Sequence, residues 1–386
     1  MPSTLFPLDV ATGHAFCNRT EERAHLFGNI QSQTHTLISA PRRYGKTSLV
    51  AQVLEDLKRK KQPVVCVHID LLLAGTPESA QRYLLDAVAK GLAELLPVGR
   101  HTLQKISSML NSLKTKAAVS SSGISLEIEP QDKPEKGIAD ALIALDNLAG
   151  KEKKAVVVFM DEFQQLGELA NNAVLEAAIR HAAQYARHTS YIFTGSNRHL
   201  LGMMFDDSAR PLYHMCDRIV LRRIADVEYH KFIQRAAKKR WGRPFEIPIL
   251  EAVLNKTSRH PYYLNVLCGQ LWKQTGPISL QDVAALWDGY VASERHRVSK
   301  EINSLSNYQR ELLTRLALHP TTHPRSHEYL AGTTIKSGSV SQLIERLMTQ
   351  DFVYIDEKGV YRLVDPVIDA TIRGIFSNKK PGVTPL

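Results

Sequence analysis

The stretch Thr36–Val50, TLISAPRRYGKTSLV, decides how this chain is read. It opens as a short apolar run and ends in an amphipathic helix, with Leu49, Val50, Val53, Leu54 and Leu57 on one face. Between the two lies Ala40-Pro41-Arg42-Arg43-Tyr44-Gly45-Lys46-Thr47-Ser48. A strand, a tight loop and a helix start leave free backbone N–H groups and the positive end of the helix dipole at one point, which suits phosphate oxygens. In that reading Lys46 reaches the β and γ phosphates of a nucleotide and the Thr47 hydroxyl serves magnesium. The plain alternative is a strand–turn–helix corner with a solvated lysine. A Gly-Lys-[Ser/Thr] triplet arises by chance in about one chain in five of this length, so a second site has to decide.

That second site is AVVVFMDEF, an apolar strand ending in Asp161 and Glu162. An acid at the tip of a neighbouring strand can hold magnesium, partly through water, and an adjacent glutamate can polarise the attacking water. Two acids at an ordinary strand end are the competing explanation. The C-terminal edge of a parallel sheet is, however, where such folds bind ligands. A third run, SYIFTGSN, ends in Ser196 and Asn197, polar groups suited to the γ-phosphate or the water. The three together point to a nucleotide with Mg2+: Ala40, Pro41, Arg42, Arg43, Tyr44, Gly45, Lys46, Thr47 and Ser48 are the candidate cradle, Thr47 and Asp161 the candidates for the metal, and Glu162, Lys46, Ser196 and Asn197 those for catalysis.

The rest of the chain is compatible. Its 386 residues are 44% hydrophobic, enough for more than one core. No basic start leads into an apolar run and no uncharged apolar run reaches 18 residues, so neither export nor a membrane span is expected. Cys17, Cys66, Cys216 and Cys268 are far apart, which argues against a disulfide framework and for a reducing cytoplasm. The net charge of +10 would suit a polyanion. Residues 301–386 contribute only +1 of it.

From residue 36 to about 224 short apolar strands (HTLISA, VVCVHIDLL, AVVVFMD, SYIFTGS, RIVLRRI) alternate with helical patterns, one of them over Glu78–Leu96. This is the pattern of an α/β fold built on a parallel sheet. A Ser-, Gly- and Pro-containing stretch at about 98–136, with the alternating run Ile124–Ile128, reads as an inserted arm or hairpin. Helices are expected over Val227–Lys239, Leu250–Thr257, Tyr262–Gln274 and Leu280–Val298. Then come helices over Asn307–Leu318, Ser326–Ala331 and Ser339–Gln350, and two strands, FVYID and VYRLV, joined at Glu357-Lys358-Gly359. Three helices and a hairpin are the order of a winged helix-turn-helix. The domains expected are a P-loop core over 1–227, a helical lid over 228–303 and a winged helix over 304–386.

The chain resembles an ATPase family that is predominantly archaeal with bacterial relatives, in the signal-transduction (STAND) branch of the AAA+-like P-loop ATPases. The resemblance rests on FCNRTEERAHL, APRRYGKTSLV, VVVFMDEFQQL, YIFTGSNRHLL, RPLYHMCDRIVLRRI and SRHPYYLNVL, which match in order and spacing. It implies a Walker-type core, a helical lid and a C-terminal winged helix binding ATP with Mg2+. It also implies that Gly45, Lys46 and Thr47 are the Walker A end, Asp161 and Glu162 the Walker B acids, Ser196 and Asn197 the sensor region, and that Arg19 lies near the base. Three positions depart from the pattern. Ala40 replaces a first glycine, Arg259 stands where the lid motif has glycine, and His214-Met215 replace Gly-Arg. A Cβ at a position requiring positive φ would cost about 1–2 kcal/mol. The last departure removes one arginine finger and leaves Arg180, Arg198 and Arg218 as candidates.

Two functional classes follow. One is an ATPase switch or motor, with Glu162 activating water. The other is a module regulated by bound ATP or ADP, with little turnover, that docks a protein or DNA. DNA is weakly supported, because the outer face of the third C-terminal helix offers Ser339, Gln342, Glu345, Arg346 and Thr349, with a single cation, and the tip at Asp356–Gly359 is net acidic. The basic clusters Lys58–Lys61, Lys151 with Lys153 and Lys154, and Lys238–Arg240 with Arg243 read as solvated helix ends or loops. The oligomeric state is not encoded in any motif.

Overall fold

The structure is a computed structural model and describes residues 4–62, 64–96, 115–120, 123–128, 134–169 and 172–377. Most of the arm expected near 98–136 lies outside the described residues. The chain divides into two compact units, one of Arg19–Ala40 and Gly45–Arg222, the other of Met1–Asn18, Pro41–Tyr44 and Arg223–Leu386.

The first unit is built on a five-stranded sheet of β1 (Thr36–Ser39), β2 (Val64–Asp70), β5 (Ala155–Asp161), β6 (Thr189–Gly195) and β7 (Asp217–Val220), in the order β2-β5-β6-β1-β7. Every pairing is parallel. All of β6 and all but the first residue of β5 are buried, so both faces of these central strands are covered. That is why they read as unbroken apolar runs rather than alternating ones. The helices of this unit are α1 (Thr20–Gln31), α2 (Lys46–Arg59), α3 (Pro77–Leu95), α4 (Pro134–Lys151), α5 (Gln164–Gly167), α6 (Asn172–Tyr185) and α7 (Arg198–Asp206). α3 starts on a capping box between Thr76 and Ser79 with Pro77 at its first position, and packs with α4 against β2 and β5. Within the arm, β3 (Thr115–Ser120) and β4 (Gly123–Ile128) form an antiparallel pair.

The second unit holds a separate core. Its helices are α8 (Asp226–Trp241), α9 (Ile247–Lys256), α10 (Pro261–Leu271), α11 (Leu280–Ser293), α12 (Arg295–Asn303), α13 (Asn307–Leu318), α14 (His327–Leu330), α15 (Val340–Thr349) and α16 (Pro366–Ser377). A hairpin, β8 (Val353–Ile355) with β9 (Tyr361–Leu363), turns at Gly359, where φ is 77°. Phe6 joins this core, edge-on to Trp272 with ring centroids 4.6 Å apart, and Asn265 donates to the Pro7 carbonyl at 2.8 Å.

Two features differ from expectation. The single helix expected over Leu280–Val298 is two, bent at Glu294. Beyond the bend Val298 reaches the core and Arg297 meets Asp365 at 3.1 Å. Periodicity sees an amphipathic run but not the change of direction that its partners impose. The second is α16, which follows the hairpin and which the sequence reading did not anticipate. Pro366 opens it, and Val367, Ile368 and Ile372 are buried. No helix among the described residues is long and apolar enough to cross a membrane.

Candidate functional site

The strand order places β5, β6 and β1 side by side, so their C-terminal ends lie in a row at one edge of the sheet. With strands about 4.8 Å apart, the ends of β5 and β1 are about 10 Å apart across β6. That adjacency brings together residues more than 110 positions apart in the chain. The Thr47 hydroxyl donates to Asp161 Oδ2 at 2.7 Å. Asp161 Oδ1 accepts from the Thr194 hydroxyl and, at 3.0 Å, from the Glu162 backbone N–H. Asp161 is buried at the strand tip with its carboxylate fixed on three sides.

Lys46 begins α2, is buried, and its ammonium donates to the Ala40 carbonyl at 3.1 Å. Ala40 is fully buried and does not take the left-handed backbone. A Cβ there carries no conformational penalty, and the function of the position is its carbonyl. Gly45, at φ 89°, does require glycine. The other two departures behave differently. Arg259 (φ 58°) and His214 (φ 51°) both adopt the left-handed region that the resemblance would fill with glycine. Each costs about 1 kcal/mol or more, held by its surroundings.

Glu162 is also left-handed, φ 51°. Its Oε2 accepts from the Ser196 hydroxyl at 3.0 Å and from the Gln164 amide N–H. Gln164 is the site residue that sequence reasoning missed. It is buried in α5, its Oε1 has no partner among the described residues, and it lies against Gly195, where a Cβ would stand 2.1 Å from that oxygen. The only sequence signal was a polar pair, Gln164-Gln165, directly after an apolar strand. Asn197 caps α7, with Oδ1 accepting the Leu200 N–H at 3.1 Å, so that oxygen is already engaged.

The remaining candidates are distributed as follows. Arg19 is buried at the start of α1, left-handed, and pairs with Glu22 at 2.9 Å. Ser48 is buried in the first turn of α2. Arg180 donates to the Pro211 and Tyr213 carbonyls, Arg218 pairs with Asp206, and Arg198 opens α7. A further pair joins Arg210 to Glu176, whose carboxylate is fully buried and whose pKa burial pushes up, against the pull of the guanidinium.

Pro41–Tyr44 group with the second unit. There Pro41 and Tyr44 are buried, Arg42 is exposed, and Arg43 lies 4.0 Å over the Tyr262 ring. The Tyr44 ring meets His260 edge-on at 4.9 Å. Burial, then the charges of Arg223 and Arg43, hold His260 well below its ordinary pKa, so the imidazole is neutral.

The donor set fits magnesium. A hydroxyl and a carboxylate 2.7 Å apart at a helix start are hard oxygen ligands of the kind Mg2+ takes beside phosphate. Thiol chemistry is disfavoured at Cys66, Cys216 and Cys268. Burial pushes Cys66 to about 11 and raises Cys216 and Cys268 further.

No protein-family model matches the sequence, and no curated protein matches it. Among solved structures, the Walker-type ATPase PABY2304 of Pyrococcus abyssi is similar at TM-score 0.67 and 18% identity, over 96% of this chain and 100% of that one. The ORC2 protein of Aeropyrum pernix, in its ADPNP-ADP complexes, is similar at TM-score 0.54 and 14% identity, over 97% and 98%. Its ADP form gives 0.53 at 14%, over 97% and 96%. These likenesses and the all-parallel sheet agree on one conclusion: the chain has the fold of the Walker-type, AAA+-like P-loop ATPases.

Proposed function

We propose that the chain binds ATP with Mg2+ and hydrolyses it to ADP and phosphate, as a nucleotide-dependent switch or motor in the cytoplasm. The observation that carries this reading is the 2.7 Å bond from Thr47 to Asp161, with Glu162 beside it and Lys46 at the adjoining strand end. Three motifs distant in sequence converge at one sheet edge, where a single ligand could use them all. The ADP and ADPNP bound by the Aeropyrum protein give the reading outside support.

In the mechanism Gly45, Lys46 and Ser48, with the N–H groups that open α2, cradle the phosphates. The Lys46 ammonium moves from the neutral Ala40 carbonyl to charged phosphate oxygens, which attract it more strongly. Thr47 and Asp161 would hold Mg2+, which when bound neutralises charge on the phosphate oxygens. Glu162, fixed through Oε2, presents Oε1 to the attacking water and takes its proton. Ser196 orients Glu162, Asn197 lies beside it, and Arg19 lies near the base. Movement is assigned to a scheme of core (1–227), lid (228–303) and winged helix (304–386), the last a docking element for a protein partner. Its outer face, with Gln342, Glu345 and Arg346 exposed, has too little positive charge to favour DNA.

A second reading, a nucleotide-regulated binding module with little turnover, draws on the two hydrogen bonds that restrain Glu162 Oε2. Phosphate release by the wild type and by Glu162→Gln separates the two. The ATPase reading expects measurable release that the variant loses by about 100-fold or more. Equal, negligible release in both would leave only the module. In either reading Lys46→Ala weakens ATP binding, and unchanged affinity would remove the nucleotide site altogether.

A further inference from the structure

We propose that Arg223 is a positioning residue for the phosphate-binding loop, and that through it the occupancy of the loop reaches the C-terminal hairpin. This rests on the nucleotide reading above. Arg223 follows β7 by three residues, and its guanidinium joins three distant segments of one unit. Nε donates to the Tyr44 hydroxyl at 3.1 Å, and Nη1 donates to the Ser258 carbonyl. Nη2 donates to the Val364 carbonyl at 2.8 Å and to Leu363 at 3.4 Å. The same group lies 4.5 Å from the centre of the Tyr354 ring. Tyr44 is therefore fixed at both ends, its ring against His260 and its hydroxyl on Arg223.

The consequence is mechanical. Tyr44 is bonded directly to Gly45, whose left-handed backbone starts the turn into Lys46. If the loop tightens on phosphate, Tyr44 must move with it, and a shift of about 1 Å takes a 3.1 Å hydrogen bond beyond useful length. A guanidinium is a rigid planar fork, so it cannot follow Tyr44 without altering its bonds to Ser258, Leu363 and Val364. Those carbonyls border the turn before α10 and the end of β9. An apolar contact would slide under the same displacement, whereas this one changes partners. Arg222, the next residue back, is exposed.

The test uses the full chain with ADP or a non-hydrolysable ATP analogue and Mg2+. Affinity is measured by calorimetry, and hydrogen–deuterium exchange is followed in peptides covering Val353–Leu363. Nucleotide is expected to change hairpin exchange in the wild type. Tyr44→Phe, which keeps the ring and removes the hydroxyl, is expected to weaken affinity about 3- to 10-fold and to abolish the hairpin response. Arg223→Lys, which keeps the charge and loses the fork, should abolish that response too, while Arg222→Lys retains it. Nucleotide binding with an unresponsive wild-type hairpin overturns the proposal alone, as does a wild-type response in Tyr44→Phe. Failure of the wild type to bind any nucleotide overturns the nucleotide reading and this proposal with it.

Discussion

Replacing Gly195 by alanine tests the reasoning about Glu162 from a position outside the residues proposed to hold nucleotide and metal. The added Cβ would stand 2.1 Å from Gln164 Oε1 and 3.0 Å from Leu201 Cδ1. Ordinary carbon–oxygen contacts are about 3.3–3.6 Å, so the Gln164 amide must retreat by more than ~1 Å. It then loses its hydrogen bond to Glu162, and a bond to a charged group contributes about 1.5–3 kcal/mol. Overpacking adds about 1–3 kcal/mol of its own, so the fold should lose about 2.5–6 kcal/mol by urea denaturation. A ~1 Å misplacement of the group that aims the water lowers turnover by up to ~100-fold, so steady-state phosphate release should fall about 10- to 100-fold. ATP affinity should stay within about 3-fold, because Lys46 and Thr47 are untouched, a difference of ~0.7 kcal/mol. The cycle with Gln164→Ala isolates the cause. With the amide gone, the 2.1 Å clash is removed and Leu201 Cδ1 at 3.0 Å remains, so the further effect of Gly195→Ala on turnover should be under about 3-fold. Additive losses in the double variant, or wild-type turnover in Gly195→Ala, would refute the account of how Glu162 is held.

Other perturbations follow from the same contacts. Arg210→Ala leaves the Glu176 carboxylate buried without its bidentate partner and should cost about 3–5 kcal/mol in chemical denaturation; a loss under 1 kcal/mol would mean that the site admits water. Acidification should destabilise the fold through two neutral histidines, His260, which is buried, and His35, which is half-buried. His35 accepts the Tyr191 N–H at Nδ1 and donates from Nε2 to Ala183, and burial lowers its pKa, as it does for His260. Because each folded pKa lies below the unfolded value of 6.5, the unfolded chain takes up protons that the folded chain refuses, so stability is lost as pH falls below about 6.5. Between pH 7.5 and 5.5 each contributes a loss of up to ~1.4 kcal/mol, and His35→Asn should remove one such share from the difference whatever its absolute stability. An unaltered pH dependence in that variant would contradict the assignment.

The sequence by itself determined the α/β class, the five strands and the helix that opens at Lys46, because burial on both faces makes the central strands continuously apolar and a helix face shows as a 3.6-residue period. It also singled out the candidates for phosphate and magnesium, because Gly45-Lys46-Thr47 lie at the start of a helix and Asp161-Glu162 at the end of a strand. Local signals stop there. That Thr47 meets Asp161 follows from β6 pairing between β5 and β1, a choice among strand orders that no stretch of sequence carries. The cost of the three departures from glycine was equally hidden, because φ is set by the path of the chain: Ala40 is relaxed, whereas Arg259 and His214 are left-handed. The bend at Glu294, the placement of Phe6 in the second core and the fixing of Glu162 by Ser196 depend on partners far away in the chain. Periodicity reports which face of an element is buried, and only the tertiary structure decides against what.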